Sequence, residues 1–315
     1  MSGGRDHGGG LDAAIVRFGG NRASWLDLST GINPVPYPLP KLPAGIWTDL
    51  PDRAAQTALI NAARRFWRVP EGAENLATPG ASAAIAQIPT LARSGRVVIS
   101  GPTYNEHAAA FLAAGWQVVD TSPETAPDAM VVVHPNNPDG RLWDDLEIEA
   151  PLTVIDESFG DVAPAQSLIR LATRPGTLVL KSFGKFWGLA GLRLGFVIGD
   201  AALISRLRDA LGPWPVSGPA LHIGALALAD SDWADATRAR LASDAARLDR
   251  LLVRKGARSL GGTTLFRLYE VGDAVRWHEN LARAHILSRI FPYNRSWLRL
   301  GLPAQSGWAR LEAGL

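Results

Sequence analysis

Short apolar runs of four or five residues recur along the first two-thirds of the chain and alternate with segments of helical periodicity. The runs are rich in Val, Ile and Leu, which is typical of strands buried on both faces of a parallel sheet. We predict strands at residues 96–100, 116–120, 130–134, 152–156, 177–180 and 194–198. We predict helices at residues 54–67, 105–114 and 200–211. This alternation predicts an α/β fold, with a mostly parallel central sheet and helices on both faces.

The pattern changes after a break rich in Gly and Pro at residues 212–217. Beyond it we predict a small α+β domain from the segments at residues 232–255 (helix), 263–269 (strand), 274–284 (helix) and 297–300 (strand). The first 25 residues are Gly-rich and polar, which is typical of a disordered terminal arm. We therefore predict an N-terminal arm at residues 1–35, a large domain at 36–213 and a small C-terminal domain at 214–315.

Composition excludes several classes of function. The net charge of +2 gives no electrostatic case for binding nucleic acid, although the pI is about 9.1. The chain has no cysteine, so disulfides, thiolate metal sites and a catalytic thiol are excluded, and we expect a cytoplasmic protein without a metal. The first residues lack the apolar segment of a signal peptide, and no apolar run of about 18 residues predicts a membrane span.

The choice of basic residues draws attention to one loop. Only four of the 32 basic residues are lysines, namely Lys41, Lys181, Lys185 and Lys255, so arginine serves wherever a positive charge is enough. Lys185 lies in an apolar, Gly-rich loop between two predicted strands. A lysine at such a place suggests a need for an amine that can lose its proton, which arginine cannot supply.

The same loop carries two short motifs, S-x-x-K at residues 182–185 and G-x-R-x-G at residues 191–195. Together they resemble the cofactor-binding loop of the fold-type I enzymes that use pyridoxal 5′-phosphate (PLP), the aminotransferase class I/II group. The resemblance implies that Lys185 binds the PLP aldehyde covalently, while Ser182 and Arg193 bind the cofactor phosphate. The alternative is a solvated Lys/Arg loop between two strands.

Further residues that the resemblance assigns to PLP follow predicted strands. In parallel sheets, ligands bind at the carboxyl ends of the strands. Independently of the resemblance, residues 76–85 read as a short strand, a Gly turn and the start of a helix of small residues, where free backbone amides and the helix dipole favour a phosphate at Gly80, Ala81 and Ser82. The alternative is an ordinary small-residue helix start.

The remaining cofactor residues would contact the PLP ring. Asp156 would keep the ring nitrogen protonated; otherwise it is a carboxylate that caps the next turn. Asn137 would bind the phenolic oxygen and Tyr104 would stack on the ring, unless they are an ordinary turn residue and a buried aromatic residue.

Three residues are assigned to the substrate by the same resemblance. Arg299 would hold the α-carboxylate with two hydrogen bonds, and Arg289 stands at the place of a second substrate arginine. His7, in a His-Gly-Gly sequence, would face a substrate phosphate. Surface ion pairs for the arginines and a mobile tail for His7 are the alternatives.

Two positions depart from the family pattern. Leu50 stands where many members have a tyrosine that reaches the cofactor phosphate of the neighbouring subunit, so no role is carried to Leu50. Phe159 stands where many aminotransferases have a tyrosine near the phenolic oxygen. Phenylalanine cannot donate that hydrogen bond, which argues against transamination.

Within this family the chain resembles the threonine-phosphate decarboxylases of cobalamin biosynthesis, which are related to histidinol-phosphate aminotransferases. The resemblance covers nearly the whole chain, including His7-Gly8-Gly9, residues 27–34 and residues 213–216. It implies a homodimer that converts L-threonine O-3-phosphate to (R)-1-amino-2-propanol O-2-phosphate, without nucleic-acid or membrane partners. An aminotransferase of the histidinol-phosphate type, and a PLP-fold protein that binds a ligand without turnover, remain alternatives.

Overall fold

The structure is a computed structural model that describes residues 7–120 and 126–315. Residues 1–6 of the predicted arm therefore lie outside the described residues. Two compact units are present. The smaller unit contains the described residues up to Val35 together with Pro138–Gly140 and Thr237–Leu315, and the larger unit contains the described residues of Pro36–Asn137 and Arg141–Ala236. The predicted division at residue 213 stays a prediction.

The helices and strands have the following bounds in the described residues. The α-helices are α1 (Leu11–Phe18), α2 (Gly45–Thr48), α3 (Arg53–Phe66), α4 (Ala81–Gln87), α5 (Asn105–Ala113), α6 (Ala201–Leu211), α7 (Gly218–Ala229), α8 (Ser231–Arg254), α9 (Ala274–Arg283) and α10 (Trp308–Gly314). The strands are β1 (Leu26–Asp27), β2 (Glu74–Thr78), β3 (Arg96–Ile99), β4 (Gln117–Val119), β5 (Ala129–Val133), β6 (Leu152–Asp156), β7 (Thr177–Ser182), β8 (Gly195–Gly199), β9 (Arg258–Thr263), β10 (Phe266–Glu270), β11 (Ile286–Leu287), β12 (Arg289–Phe291) and β13 (Asn294–Gly301). Among these helices, none has the length and apolar character needed to cross a membrane.

A seven-stranded sheet forms the centre of the larger unit, in the order β2-β8-β7-β6-β5-β3-β4. Strand β8 runs antiparallel to β2 and β7, and the other neighbouring strands are parallel. Every residue of β5, β6 and β8 is buried, which explains why these strands are continuous apolar runs in the sequence. The predicted α/β fold with a mostly parallel central sheet is confirmed.

The parallel part of the sheet brings several loops to one edge. Strands β3, β5, β6 and β7 point the same way, so the residues that follow them share the carboxyl end of the sheet. The register pairs Val133 with Asp156, and Asp156 with Leu180. The ends of three strands that carry predicted site residues are therefore direct neighbours.

The smaller unit contains an antiparallel sheet in the order β12-β13-β10-β9 and a parallel pair, β1 with β11. The prediction of one strand at residues 263–269 is wrong, because the chain turns between β9 and β10. The hydroxyl of Thr263 accepts a hydrogen bond from the amide of Leu265 at 3.1 Å, which favours a turn over continued strand.

Helix α1 lies in the segment for which the sequence predicted a disordered arm. Its residues Leu11 and Ala14 are buried in a small core with Trp25, Ala282 and Leu287. Burial of this apolar face stabilises a helix that eight residues would not form alone in water. The Gly-rich sequence around α1 is typical of a disordered arm, so the sequence alone did not predict this helix.

Candidate active site

One cavity of the larger unit, with a volume of about 130 Å³, is lined by all the residues that the sequence assigned to the cofactor. The ends of β2, β3, β5, β6 and β7 and the loop before β8 supply them. They are Gly80, Ala81, Ser82, Tyr104, Asn137, Asp156, Ser182, Lys185 and Arg193. The structure brings these residues together, and their individual roles remain predictions.

The phosphate end of this cavity is formed where α4 begins. Gly80 has a φ of +83°, and a Cβ atom built on it would lie 2.7 Å from Nη2 of Arg193. A Cβ on Gly195 would lie 2.4 Å from the amide nitrogen of Ala81. Two glycines therefore let β8 and the guanidinium approach the first turn of α4 closely. Amides that lack acceptors within the helix and a planar guanidinium fit a phosphate dianion.

The conformation of Arg193 is unusual and local contacts hold it. Its φ of +53° and ψ of 51° lie in the left-handed region, which is uncommon for a residue with a side chain. Its Nη1 donates a hydrogen bond to the carbonyl oxygen of Ala190 at 3.1 Å. This contact ties the guanidinium to the loop that carries Lys185.

Asp156 ends β6 as a buried carboxylate with two hydrogen bonds. Its Oδ2 accepts from Nε2 of His107 at 2.8 Å, and its Oδ1 accepts from the amide of Ser158 at 2.9 Å. Burial alone would raise the pKa of Asp156, but the hydrogen bond and charge of His107, together with Ser158, outweigh it and lower the pKa. Asp156 is thus held ionised, as a partner for a protonated ring nitrogen requires.

His107 was missed by the sequence analysis. It lies on α5 three residues after Tyr104, so the two side chains share a helix face, and their ring centroids are 6.0 Å apart with an edge contact. The spacing in Tyr104-Asn105-Glu106-His107 was the available signal. A single histidine on a helix gave no reason to connect it with Asp156, which lies 49 positions away.

Lys185 lies beside an apolar ring. Its Nζ is 5.3 Å from the ring centroid of Phe159, and both residues line the cavity. Phe159 is buried and carries no hydroxyl group, as the sequence indicated. The amine of Lys185 is therefore close to a side chain that can neither donate nor accept a proton.

Asn136 was also missed, and it braces the loop that carries Asn137. It accepts a hydrogen bond from the hydroxyl of Thr103 at 2.6 Å and donates one to the carbonyl oxygen of Pro102 at 3.0 Å. These bonds join the loop after β5 to the loop after β3, which carries Tyr104. Asn137 itself lines the cavity.

The cavity fits PLP by the chemistry of its donors. Arg193 and the start of α4 suit the phosphate, the carboxylate of Asp156 suits a protonated ring nitrogen, and the amine of Lys185 suits an aldehyde. The space at Gly80, which a Cβ atom would close, leaves the phosphate cradle open.

The predicted substrate residues lie in the smaller unit. Arg299 is buried and its Nη2 donates to the carbonyl oxygen of Ser29 at 2.6 Å. Arg289 pairs with Arg299 across β12 and β13. His7 is exposed, and the next residues, Gly8 and Gly9, contact Ser29. The structure thus brings the arm and both arginines to one part of this unit, while their roles remain predictions.

The family profile for Aminotransferase class I and II matches residues 41–311. The chain belongs to this family, and its class is therefore that of the fold-type I PLP-dependent enzymes. Enzymes of this family depend on PLP, so the cofactor predicted from the sequence is confirmed.

Two curated relatives give a closer comparison. The chain is 43% identical to a threonine-phosphate decarboxylase of a Sinorhizobium species and 42% identical to one of Pseudomonas aeruginosa, in each case over 98% of this chain and 97% of the relative. The predicted resemblance to threonine-phosphate decarboxylases is confirmed. A solved histidinol-phosphate aminotransferase of Sinorhizobium meliloti, in complex with pyridoxal-5′-phosphate, matches 99% of this chain and 94% of its own with a TM-score of 0.82. At 19% identity that match shows the fold.

Proposed function

We propose that this protein decarboxylates L-threonine O-3-phosphate with PLP and gives (R)-1-amino-2-propanol O-2-phosphate in cobalamin biosynthesis. The observation that carries the proposal is the near-full-length similarity to two threonine-phosphate decarboxylases. The cavity around Lys185 and Asp156 supports it, because its donors suit PLP. The placement of His7 and Arg299 in one unit supports it further, since a phosphorylated amino acid carries two anionic groups.

Each residue around the cofactor would act on a different part of PLP. Bound PLP supplies an electron-accepting ring, which lets the bond between the substrate's α-carbon and its carboxyl carbon break. Asp156, held ionised by His107, keeps the ring nitrogen protonated. Ser182, Arg193 and the start of α4 bind the phosphate of PLP.

The residues that face the substrate would have separate roles. Arg299, assisted by Arg289, holds the substrate carboxylate, and His7 faces the substrate phosphate. Lys185 would hold PLP through the cofactor's aldehyde, and its Nζ, after taking a proton from solvent, would donate that proton to the α-carbon in place of the departing carbon dioxide. Phe159, whose ring centroid lies 5.3 Å from Nζ of Lys185, has no group that could relay that proton.

The proposal includes a cytoplasmic homodimer. Exposed apolar side chains support the second copy: Leu39, Trp47 and Leu50 are 65%, 68% and 68% exposed and line one open cavity together with Gly188 and Leu192 of the Lys185 loop. Exposed apolar surface of this kind is typical of an interface. Sedimentation of the PLP-loaded protein tests this part, and an active monomer would refute it.

A spectrum combined with product analysis tests the proposed reaction. The purified protein with PLP is expected to show the visible absorption band of lysine-bound cofactor, which Lys185→Ala abolishes. Addition of L-threonine O-3-phosphate is expected to release carbon dioxide and leave that band in place after turnover. Conversion to the pyridoxamine form by an amino donor, without carbon dioxide, would instead establish an aminotransferase. An absent band in the wild-type protein would overturn the cofactor assignment.

A further inference from the structure

We propose that Ser29 is a positioning residue that holds the arm carrying His7 in place beside Arg299, and thereby sets the preference for a phosphorylated amino acid. The proposal rests on the proposed function, because it assigns the substrate phosphate to the arm and the carboxylate to Arg299. Ser29 is 3% exposed, so it acts through its neighbours and not by touching the substrate.

The arm is joined to the side chain of Ser29. The amide of Gly9 donates a hydrogen bond to Oγ of Ser29 at 2.7 Å. A Cβ atom on Gly8 would lie 2.4 Å from the carbonyl oxygen of Ser29, so only glycine lets the arm lie this close. Two successive residues after His7 thus pack against one serine.

Asp27 fixes the direction of the Ser29 hydroxyl. Its Oδ1 accepts from the Ser29 hydroxyl at 2.6 Å and from the Ser29 amide at 2.9 Å. Because the hydroxyl proton is given to Asp27, the lone pairs of Oγ are left to accept the amide of Gly9. Two consecutive hydrogen bonds therefore hold the arm: Gly9 donates to Ser29, and Ser29 donates to Asp27.

The backbone of the same residue contacts the carboxylate-binding arginine. Nη2 of Arg299 donates to the Ser29 carbonyl oxygen at 2.6 Å. The amide of Gly301 donates to the carbonyl oxygen of Leu28 at 2.7 Å, and a Cβ on Gly301 would lie 2.2 Å from the carbonyl oxygen of Thr30. The segment around Ser29 therefore lies between the arm and the end of β13.

The two links can be separated by mutation. The arm depends on the Ser29 hydroxyl, whereas Arg299 depends on the Ser29 carbonyl, which every residue retains. Ser29→Ala should loosen the arm and leave the contact of Arg299 intact. Recognition of the phosphate should weaken while recognition of the α-carboxylate persists.

Steady-state measurements on the PLP-loaded protein test this separation. Loss of one hydrogen bond predicts that Ser29→Ala raises KM for L-threonine O-3-phosphate about 5- to 10-fold, with kcat and the inhibition constant of L-threonine within about twofold of wild type. Ser296→Ala is the matched control, since Ser296 makes the same kind of bonds to the side chain of Asn294 elsewhere on β13. Equal changes for both compounds, or an unchanged KM, would overturn the proposal.

Hydrogen exchange of the arm gives a readout that does not depend on catalysis. The peptide containing Gly8 and Gly9 should exchange about tenfold faster in Ser29→Ala than in wild type or Ser296→Ala. Gly8→Ala, which forces the arm away from the Ser29 carbonyl, should have the same effect. Unchanged exchange in both Ser29→Ala and Gly8→Ala would overturn the proposal that Ser29 holds the arm. If wild type leaves L-threonine O-3-phosphate intact, the proposed function fails, and the exchange comparison still decides whether Ser29 holds the arm.

Discussion

Replacement of His107 by leucine tests whether the buried pair keeps Asp156 ionised. The two side chains are each 2% exposed, and Nε2 of His107 lies 2.8 Å from Oδ2 of Asp156. Leucine fills most of the space of the imidazole but donates no hydrogen bond. The variant therefore leaves the carboxylate buried, still with the hydrogen bond that the amide of Ser158 donates to it.

The expected loss is large because the remaining carboxylate is 2% exposed and therefore poorly hydrated. Removing one partner of a buried pair typically costs about 3–5 kcal/mol of unfolding free energy at neutral pH. For a chain of 315 residues this corresponds to a fall of about 5–8 °C in the thermal midpoint.

The loss should also depend on pH with a definite sign. In wild type the pKa of Asp156 is lowered, so its stabilising contribution is present above the unfolded pKa of about 3.9 and is lost as pH falls through the folded pKa. In His107→Leu we expect burial, the largest single influence on Asp156, to outweigh the hydrogen bonds from Ser158 and raise the pKa of Asp156. Stability of the variant should then decline as pH rises through that raised pKa, and the gap to wild type should widen toward neutrality.

Urea denaturation of the PLP-free proteins from pH 4.5 to 8 measures this gap. His222→Leu is the control, because His222 is a half-buried histidine on α7 away from the cavity. A loss below about 1 kcal/mol at pH 7.5, or one that does not change with pH, would refute the reasoning about Asp156.

Gly80→Ala should weaken PLP binding about tenfold, measured by fluorescence titration, because its Cβ would meet Arg193 and its φ is positive. Gly72→Ala is the control, since its φ is +86° with nothing within 4 Å, and equal effects of the two would rule out a role for the contact. Lys181→Met should cost about 3–5 kcal/mol of unfolding free energy, because Nζ lies 2.5 Å from Oε2 of buried Glu157. A loss below about 1 kcal/mol in denaturant titrations would contradict this.

The sequence predicted the strands of the central sheet in which every residue is buried. Strand β6 was predicted with its observed bounds, and all five of its residues are buried. The cofactor residues were found because parallel strands end at one edge, so polar residues after separate runs meet there. The alternation of apolar runs and helical segments was therefore enough to predict most of the strands of the larger unit and the residues that line its cavity.

Contacts between residues far apart in the chain could not be predicted from the sequence. His107 and Asn136 hold Asp156 and the loop of Asn137, yet their partners lie in other elements and leave no local pattern. Helix α1 depends on burial against residues more than 250 positions away, such as Leu287. The turn at Thr263 depends on one hydroxyl in a sequence that otherwise alternates like a strand.

The central claim is that the bond from the α-carbon to the carboxyl carbon breaks while the α-hydrogen stays. L-Threonine O-3-phosphate labelled with carbon-13 in the carboxyl group and deuterium at the α-carbon measures both events in one incubation. We expect carbon-13 in carbon dioxide and deuterium kept in the product amine for wild type, and neither product with Lys185→Ala. Deuterium released to water with carbon-13 kept in a 2-oxo acid would contradict decarboxylation.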